Sequence, residues 1–148
     1  MKQDLRQTFF MEMGKLFYDA RNYLDEALEV FQLTRPEWLV LALLRTHSQG
    51  ISQSFARSYV GVEVSYFSKV LNRLEDKQLI IKSIDPNDKR NRIIQTNPNS
   101  SETLNQIFTI IHDLNETILA DLSDQEIQGM CQSFNKVERR LKALLLTN

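Results

Sequence analysis

The sequence predicts a mainly α fold with one small β-hairpin. Apolar residues recur at spacings of three and four through most of the chain, the signature of helices with one buried face. Only four Gly and three Pro occur in 148 residues, too little turn chemistry for an all-β fold. A single stretch, Leu79 to Thr96, has short isoleucine-rich runs on either side of a dense polar segment. With 42% hydrophobic residues the chain can bury a core, and its length suits one domain or two closely packed pieces.

The first predicted helix runs from Leu5 to Phe31. Leu5, Phe9, Met13, Leu16, Phe17, Ala20, Leu24, Ala27, Leu28 and Phe31 form its stripe. Phe10, Tyr18 and Tyr23 widen the apolar surface beyond what a lone surface helix buries, which implies a second partner. Thr34-Arg35-Pro36-Glu37 starts the next helix. Thr34 and Glu37 have capping-box spacing, and Pro36 sits where its missing N–H costs little. Gly50 allows a turn, and Ser52 caps a short helix reaching Tyr59 or Val60. Gly61 breaks that helix, and another follows from about Glu63 to Lys77 with Phe67, Val70, Leu71 and Leu74 on its inner face.

Two helices joined by so tight a turn, then Leu79–Ile84 and Arg92–Thr96 as paired strands, follow the order of a winged helix-turn-helix. The hairpin tip, DPNDKRNR from Asp85 to Arg92, carries three cations. Asp85-Pro86 favours a turn start, and Asp88 is placed to brace an arginine and aim it. Beyond the hairpin, a stripe from Leu104 to Leu122 predicts a long helix. Ser123-Asp124-Gln125-Glu126 reads as a capping box opening a last helix. We therefore divide the chain into a lobe at 34–97 and a helical dimerisation region at 1–33 and 98–148.

Charge follows the same division. Residues 34–97 carry ten Lys/Arg against six Asp/Glu, whereas both flanks are net acidic. A basic middle suits phosphate contact. Catalysis finds little support: the two histidines lack ligand spacing, and there is no Gly-rich phosphate loop, CxxC or HExxH. No cofactor or metal is expected. The N-terminus MKQDLRQTFF lacks the layout of a signal peptide, no long apolar run occurs, and Cys131 is alone. These features lead us to expect a soluble cytoplasmic protein with no membrane partner. Cys131 lies on the apolar stripe of the last helix and is expected to be buried rather than a thiol sensor.

The motif from Ser65 to Glu75, SYFSKVLNRLE, resembles the MarR family of bacterial transcription regulators. So do Leu33-Thr34 followed by Trp38 and Leu41, and Asp85-Pro86-Asn87-Asp88-Lys89-Arg90. The resemblance implies a homodimer that binds a pseudo-palindromic double-stranded DNA operator as a repressor released by a small aromatic or lipophilic ligand. By match, Ser65, Tyr66, Ser68 and Lys69 face the major groove, with Arg73 one turn further on. Arg90 enters the minor groove beside Lys89 and Arg92, and Asp88 structures the wing. Phe17, Tyr18, Trp38 and His112 are candidate lining for the ligand pocket. Two other readings are a constitutive DNA-binding regulator without a ligand and a dimeric winged-helix module that binds protein.

Three departures from the family pattern carry structural expectations. Gln78 stands where a glycine usually ends the recognition helix, so it must take a left-handed backbone or the helix must end differently. Ala56 replaces a leucine, and Phe55 is expected to fill the gap by a small helix rotation. Thr96-Asn97-Pro98-Asn99-Ser100 replaces the usual exit from the hairpin.

Overall fold

The computed structural model describes residues 4–146. It contains six α-helices: α1 (Leu5–Glu29), α2 (Arg35–Arg45), α3 (Gln53–Val60), α4 (Val64–Asp76), α5 (Ser101–Ile118) and α6 (Asp124–Leu145). Three short strands, β1 (Ile51–Ser52), β2 (Ile80–Ile84) and β3 (Arg92–Thr96), form an antiparallel sheet in the order β1-β3-β2. The mainly helical class and the winged helix-turn-helix order are as the sequence predicts. The extra strand β1 is not. Its two residues pair Ile51 with Ile94 and Ser52 with Ile93, so β3 becomes the central strand.

The described chain divides into one compact unit ending at Ile111 and another beginning at His112. The first holds the core. Val40, Leu41 and Leu44 of α2, Ala56 of α3, and Phe67, Val70, Leu71 and Leu74 of α4 are buried, as are Ile80 and Ile94 of the sheet. Leu104, Ile107 and Phe108 add the inner face of α5. Gly50 makes the turn into β1 at φ 83°. A Cβ there would collide with the Gln95 side chain and lie 2.8 Å from the Ile94 carbonyl oxygen, so the close approach of β1 to β3 requires glycine.

The second unit holds α6, whose N-terminus is the predicted capping box. Ser123 N–H and Oγ donate to Glu126 Oε2 at 2.9 and 2.7 Å. No described residue of α6 is buried. Cys131 is accordingly exposed, against the expectation of burial, because nothing in its own unit covers the apolar stripe. On α1 only Leu28 is buried, while Phe9, Phe10, Leu16, Phe17 and Tyr23 are exposed.

Helices α1 and α4 end alike. Leu33 N–H donates to Leu28 O and Gln32 N–H to Glu29 O; Leu79 N–H donates to Leu74 O and Gln78 N–H to Glu75 O. Both are the paired bonds of a Schellman ending, and both put a glutamine in the left-handed region, Gln32 at φ 53° and Gln78 at φ 58°. Gln78 thus takes the strain directly. The two endings are tied together by Lys77, whose Nζ donates to Gln32 O at 2.5 Å and pairs with Glu37 Oε1 at 3.3 Å. Glu37 is only 1% exposed and also accepts from Thr34 N–H at 2.6 Å and Thr34 Oγ1 at 3.0 Å. One carboxylate therefore serves the start of α2 and the end of α4.

Phe55 does not fill the space beside Ala56. Ala56 is itself fully buried, while Phe55 is 47% exposed and meets the His47 ring edge-on at 5.9 Å. The helix keeps Ala56 inward and Phe55 outward. His47 Nδ1 lies 2.9 Å from Leu43 O, at the end of α2.

Candidate nucleic-acid interface

The helix-turn-helix is set by local rules. Ser52 Oγ accepts from Phe55 N–H at 3.2 Å and opens α3. Gly61, at φ 71°, closes it by donating from its N–H to Arg57 O. Glu63 then precedes α4 in extended backbone. The four apolar residues of α4 are sealed in the core, so the helix cannot turn about its axis without exposing them. That fixes its outer face. Ser65, Tyr66, Ser68, Lys69, Asn72 and Arg73 are all exposed. Ser68 Oγ donates to Val64 O at 3.2 Å. Arg73 makes no ion pair with Glu75, whose carboxylate is taken by Lys82 at 2.8 Å.

The hairpin tip is held by its own polar groups. Asp85 Oδ1 accepts from Asn87 N–H at 2.8 Å, the turn start anticipated for Asp85-Pro86. Asp88 accepts from Arg90 N–H at 3.0 Å and from Asn91 Nδ2 at 3.1 Å. It thus braces the backbone of Arg90 rather than a guanidinium, correcting the expectation that it would aim an arginine side chain. Backbone bonds from Asn91 N–H to Asp88 O and from Asp85 N–H to Asn91 O complete the loop. Lys89, Arg90 and Arg92 are exposed, and the ion pairs among the described residues involve none of them. This arrangement presents two solvated cations, Lys89 and Arg90, on a pinned loop, with a third, Arg92, at the start of β3.

Three of the candidate pocket residues, Phe17, Tyr18 and Trp38, lie in the first unit. Phe17 and Tyr18 are 60% and 64% exposed on α1. Trp38 is half-buried and packs on Phe108 at 5.6 Å, with the Arg45 guanidinium 4.6 Å from the same ring. His112 is exposed in the other unit. A cleft of about 880 Å³ lies elsewhere in the first unit, between α1, the start of α2 and Tyr66. Arg21, Asp25, Glu26, Glu29 and Arg35 contribute to its lining, and Arg35 Nε pairs with Asp25 at 2.7 Å across it. Among the described residues no group of three or more His, Cys, Asp or Glu is arranged to hold a metal ion. None of the helices there is long and apolar enough to cross a membrane.

Residues 33–91 match the family model described as MarR family. Solved structures extend the likeness in fold to nearly the whole chain. Staphylococcus aureus MepR in a DNA-binding conformation is similar at a TM-score of 0.80 and 23% identity, covering 90% of this chain and 98% of that one. A MarR-family transcriptional regulator from Rhodococcus sp. RHA1 gives 0.78 and 16%, covering 92% and 96%. Escherichia coli MarR in its apo form gives 0.68 and 20%, covering 93% and 98%. The MarR-family match spans both the α4 face and most of the wing, each of which carries exposed cations. Sequence reasoning put Asn72 on the outer sides of that helix but did not count it among the DNA-contacting residues. It is exposed three residues after Lys69 and seven after Ser65, and that spacing was the available signal.

Proposed function

We propose that the protein is a homodimeric, sequence-specific DNA-binding transcription regulator acting on a pseudo-palindromic operator. One observation carries the reading: Ser65, Tyr66, Ser68, Lys69 and Arg73 stand exposed on a helix locked by its buried face, followed by a hairpin whose pinned tip carries Lys89 and Arg90 next to Arg92 of β3. A helix so presented can enter the major groove, with Ser65 and Lys69 reaching base edges or phosphate and Tyr66 packing on a thymine methyl. Arg90 at the tip suits a narrow minor groove, sensing its width more than its bases. The similar MepR has been solved as a DNA complex, at 21% identity and a TM-score of 0.71, which supports the same use of the fold. The exposed apolar surfaces of α1 and α6 support a second copy as the partner that covers them. Two lobes related by a two-fold axis would put half-site centres about 10 base pairs apart.

In this reading the regulator acts as a repressor, and a small molecule releases it. The 880 Å³ cleft supports that step by its proximity to Tyr66, although its charged lining suits a polar ligand better than a lipophilic one. The test is binding to duplexes enriched by the protein from a random-sequence pool. Arg90→Ala and Lys69→Ala should each weaken binding by roughly 1–3 kcal/mol, and a lost phosphate contact should lower the salt slope by about 1. Wild-type affinity for both variants at moderate salt would defeat the reading.

A further inference from the structure

We propose that Asn72 is a further duplex-contacting residue, and that Lys82 on β2 is its positioning residue, holding the side-chain amide so that it offers hydrogen-bond donors alone. The inference rests on the DNA-binding reading above and deepens it. Asn72 extends the stripe made by Ser65 and Lys69, at helical spacings of four and three. It is exposed, so its ordinary fate would be a freely turning amide that shows either end to a partner. Lys82 removes that freedom. Its Nζ lies 2.7 Å from Asn72 Oδ1 and 2.8 Å from Glu75 Oε2. The Lys82 side chain is only 18% exposed, and Lys82 is paired with Ile94 in the sheet. An ammonium group has donors and no acceptor, so the amide atom facing it must be the carbonyl oxygen. The NH₂ group is the end left outward.

That orientation has a chemical consequence. An asparagine reads adenine by donating to N7 while accepting from N6. Here the oxygen is already turned to Lys82, and the paired adenine contact is blocked. What remains is donation to an acceptor on the duplex. Phosphate oxygens qualify, as do purine N7, guanine O6 and thymine O4 in the major groove. Lys82 is not itself a phosphate cation in this arrangement, since Glu75 balances its charge. The same pair of bonds fastens the wing strand to the reading helix, so wing and helix would meet the duplex as one piece.

The probe is a fluorescent duplex enriched by the wild-type protein from a random-sequence pool. Its affinity is measured for wild type, Asn72→Ala, Asn72→Asp, Lys82→Met and the double variant Asn72→Ala/Lys82→Met. Helicity and thermal melting serve as folding controls. Asn72→Ala should bind about tenfold more weakly, within the range for one lost contact. Asn72→Asp should lose at least as much, because it keeps the bond to Lys82 but shows oxygen where N–H is needed. Lys82→Met should weaken binding without lowering the salt slope, and the double variant should be no weaker than Asn72→Ala. Pool enrichment by Lys82→Met should newly admit adenine at the base pair facing residue 72, a change that mere loss of stability would not produce. Single-base changes and single uncharged phosphates in the probe identify which acceptor is used, by abolishing the difference between wild type and Asn72→Ala.

Wild-type binding by Asn72→Ala or Asn72→Asp would overturn the contact. Losses that multiply in the double variant, or a salt slope lowered by about 1 in Lys82→Met, would make Lys82 an independent phosphate contact and overturn the positioning role. Failure of the wild-type protein to enrich any duplex would instead overturn the DNA-binding reading, and this inference with it.

Discussion

Removing the Lys77 cation should destabilise the fold out of proportion to its exposure. Lys77→Met keeps the aliphatic stem and deletes the ammonium group that faces Glu37 at 3.3 Å. At an effective dielectric of about 20, a pair at that distance attracts by roughly 5 kcal/mol before desolvation is counted. Most of that gain does not survive. Lys77 is 29% exposed and regains hydration on unfolding, and Thr34 still donates twice to the Glu37 carboxylate after the change. Against this, Glu37 is 1% exposed and would keep a buried charge without its cation. A loss of about 2 kcal/mol is the expected balance, below the 3–5 kcal/mol seen when a fully buried pair is broken. The assay is urea unfolding at fixed protein concentration, because the stability of the proposed dimer would depend on it. Lys77→Met/Glu37→Gln should recover roughly half of the loss, since a carboxamide keeps an oxygen for Thr34 and carries no charge. A loss under about 0.5 kcal/mol for Lys77→Met, or strictly additive effects in the double variant, would refute the reasoning.

Two other predictions concern helix ends. Gln78→Gly should stabilise the protein by about 0.5–1 kcal/mol, the left-handed penalty of roughly 1–2 kcal/mol less the added flexibility of glycine in the unfolded chain; a lower denaturation midpoint would show that the Gln78 side chain has a role its backbone does not reveal. At the start of α6, hydrogen bonds from Ser123 N–H and Oγ hold the Glu126 carboxyl below its ordinary value of 4.5. A carboxyl depressed by folding contributes stability that is present above that value and lost as pH falls below it, through the lowered folded pKa. Helicity of the wild type should therefore fall on acidification below about pH 4.5, relative to Glu126→Gln, whose amide does not titrate there. Parallel circular dichroism titrations that superimpose would count against the capping role.

The sequence disclosed what is encoded within a turn of helix and hid what depends on pairing across the chain. Ser52, Ser123 with Glu126, and Thr34 with Glu37 were legible because a cap and its partner lie three residues apart. Gln78 was legible as a conflict, since left-handed backbone favours glycine. Gln32 carries the same conflict and gave no signal, because the apolar stripe carried the predicted helix on to Phe31, past its actual end at Glu29. Strand β1 was invisible: two residues have no period, and only the register with β3 makes them a strand. Phe55 was misread because a large apolar residue beside a small one suggests compensation, whereas helix geometry puts the small one inside. Lys82 with Asn72 and Lys77 with Glu37 lie 10 and 40 residues apart, beyond the reach of any local pattern.

Those two distant pairs bear on how a dimer would read DNA. Helix α4 is anchored near its C-terminal end twice, by Lys77 to the junction of α1 and α2, and by Lys82 through Asn72 and Glu75 to the wing. Its N-terminal end follows a glycine turn and a Glu63 with no side-chain capping bond. In the proposed dimer α1 carries much of the apolar surface that a second copy would cover. A displacement of α1 by the partner would therefore be passed to the reading helix through Lys77, at the end opposite Ser65 and Tyr66. Small shifts there act on a lever, changing the separation of two recognition helices more than the local packing of either. On this view half-site spacing is set by the clamp at Gln32 and Glu37 together with the dimer surface, and loosening the clamp should broaden the range of spacings tolerated before it abolishes binding.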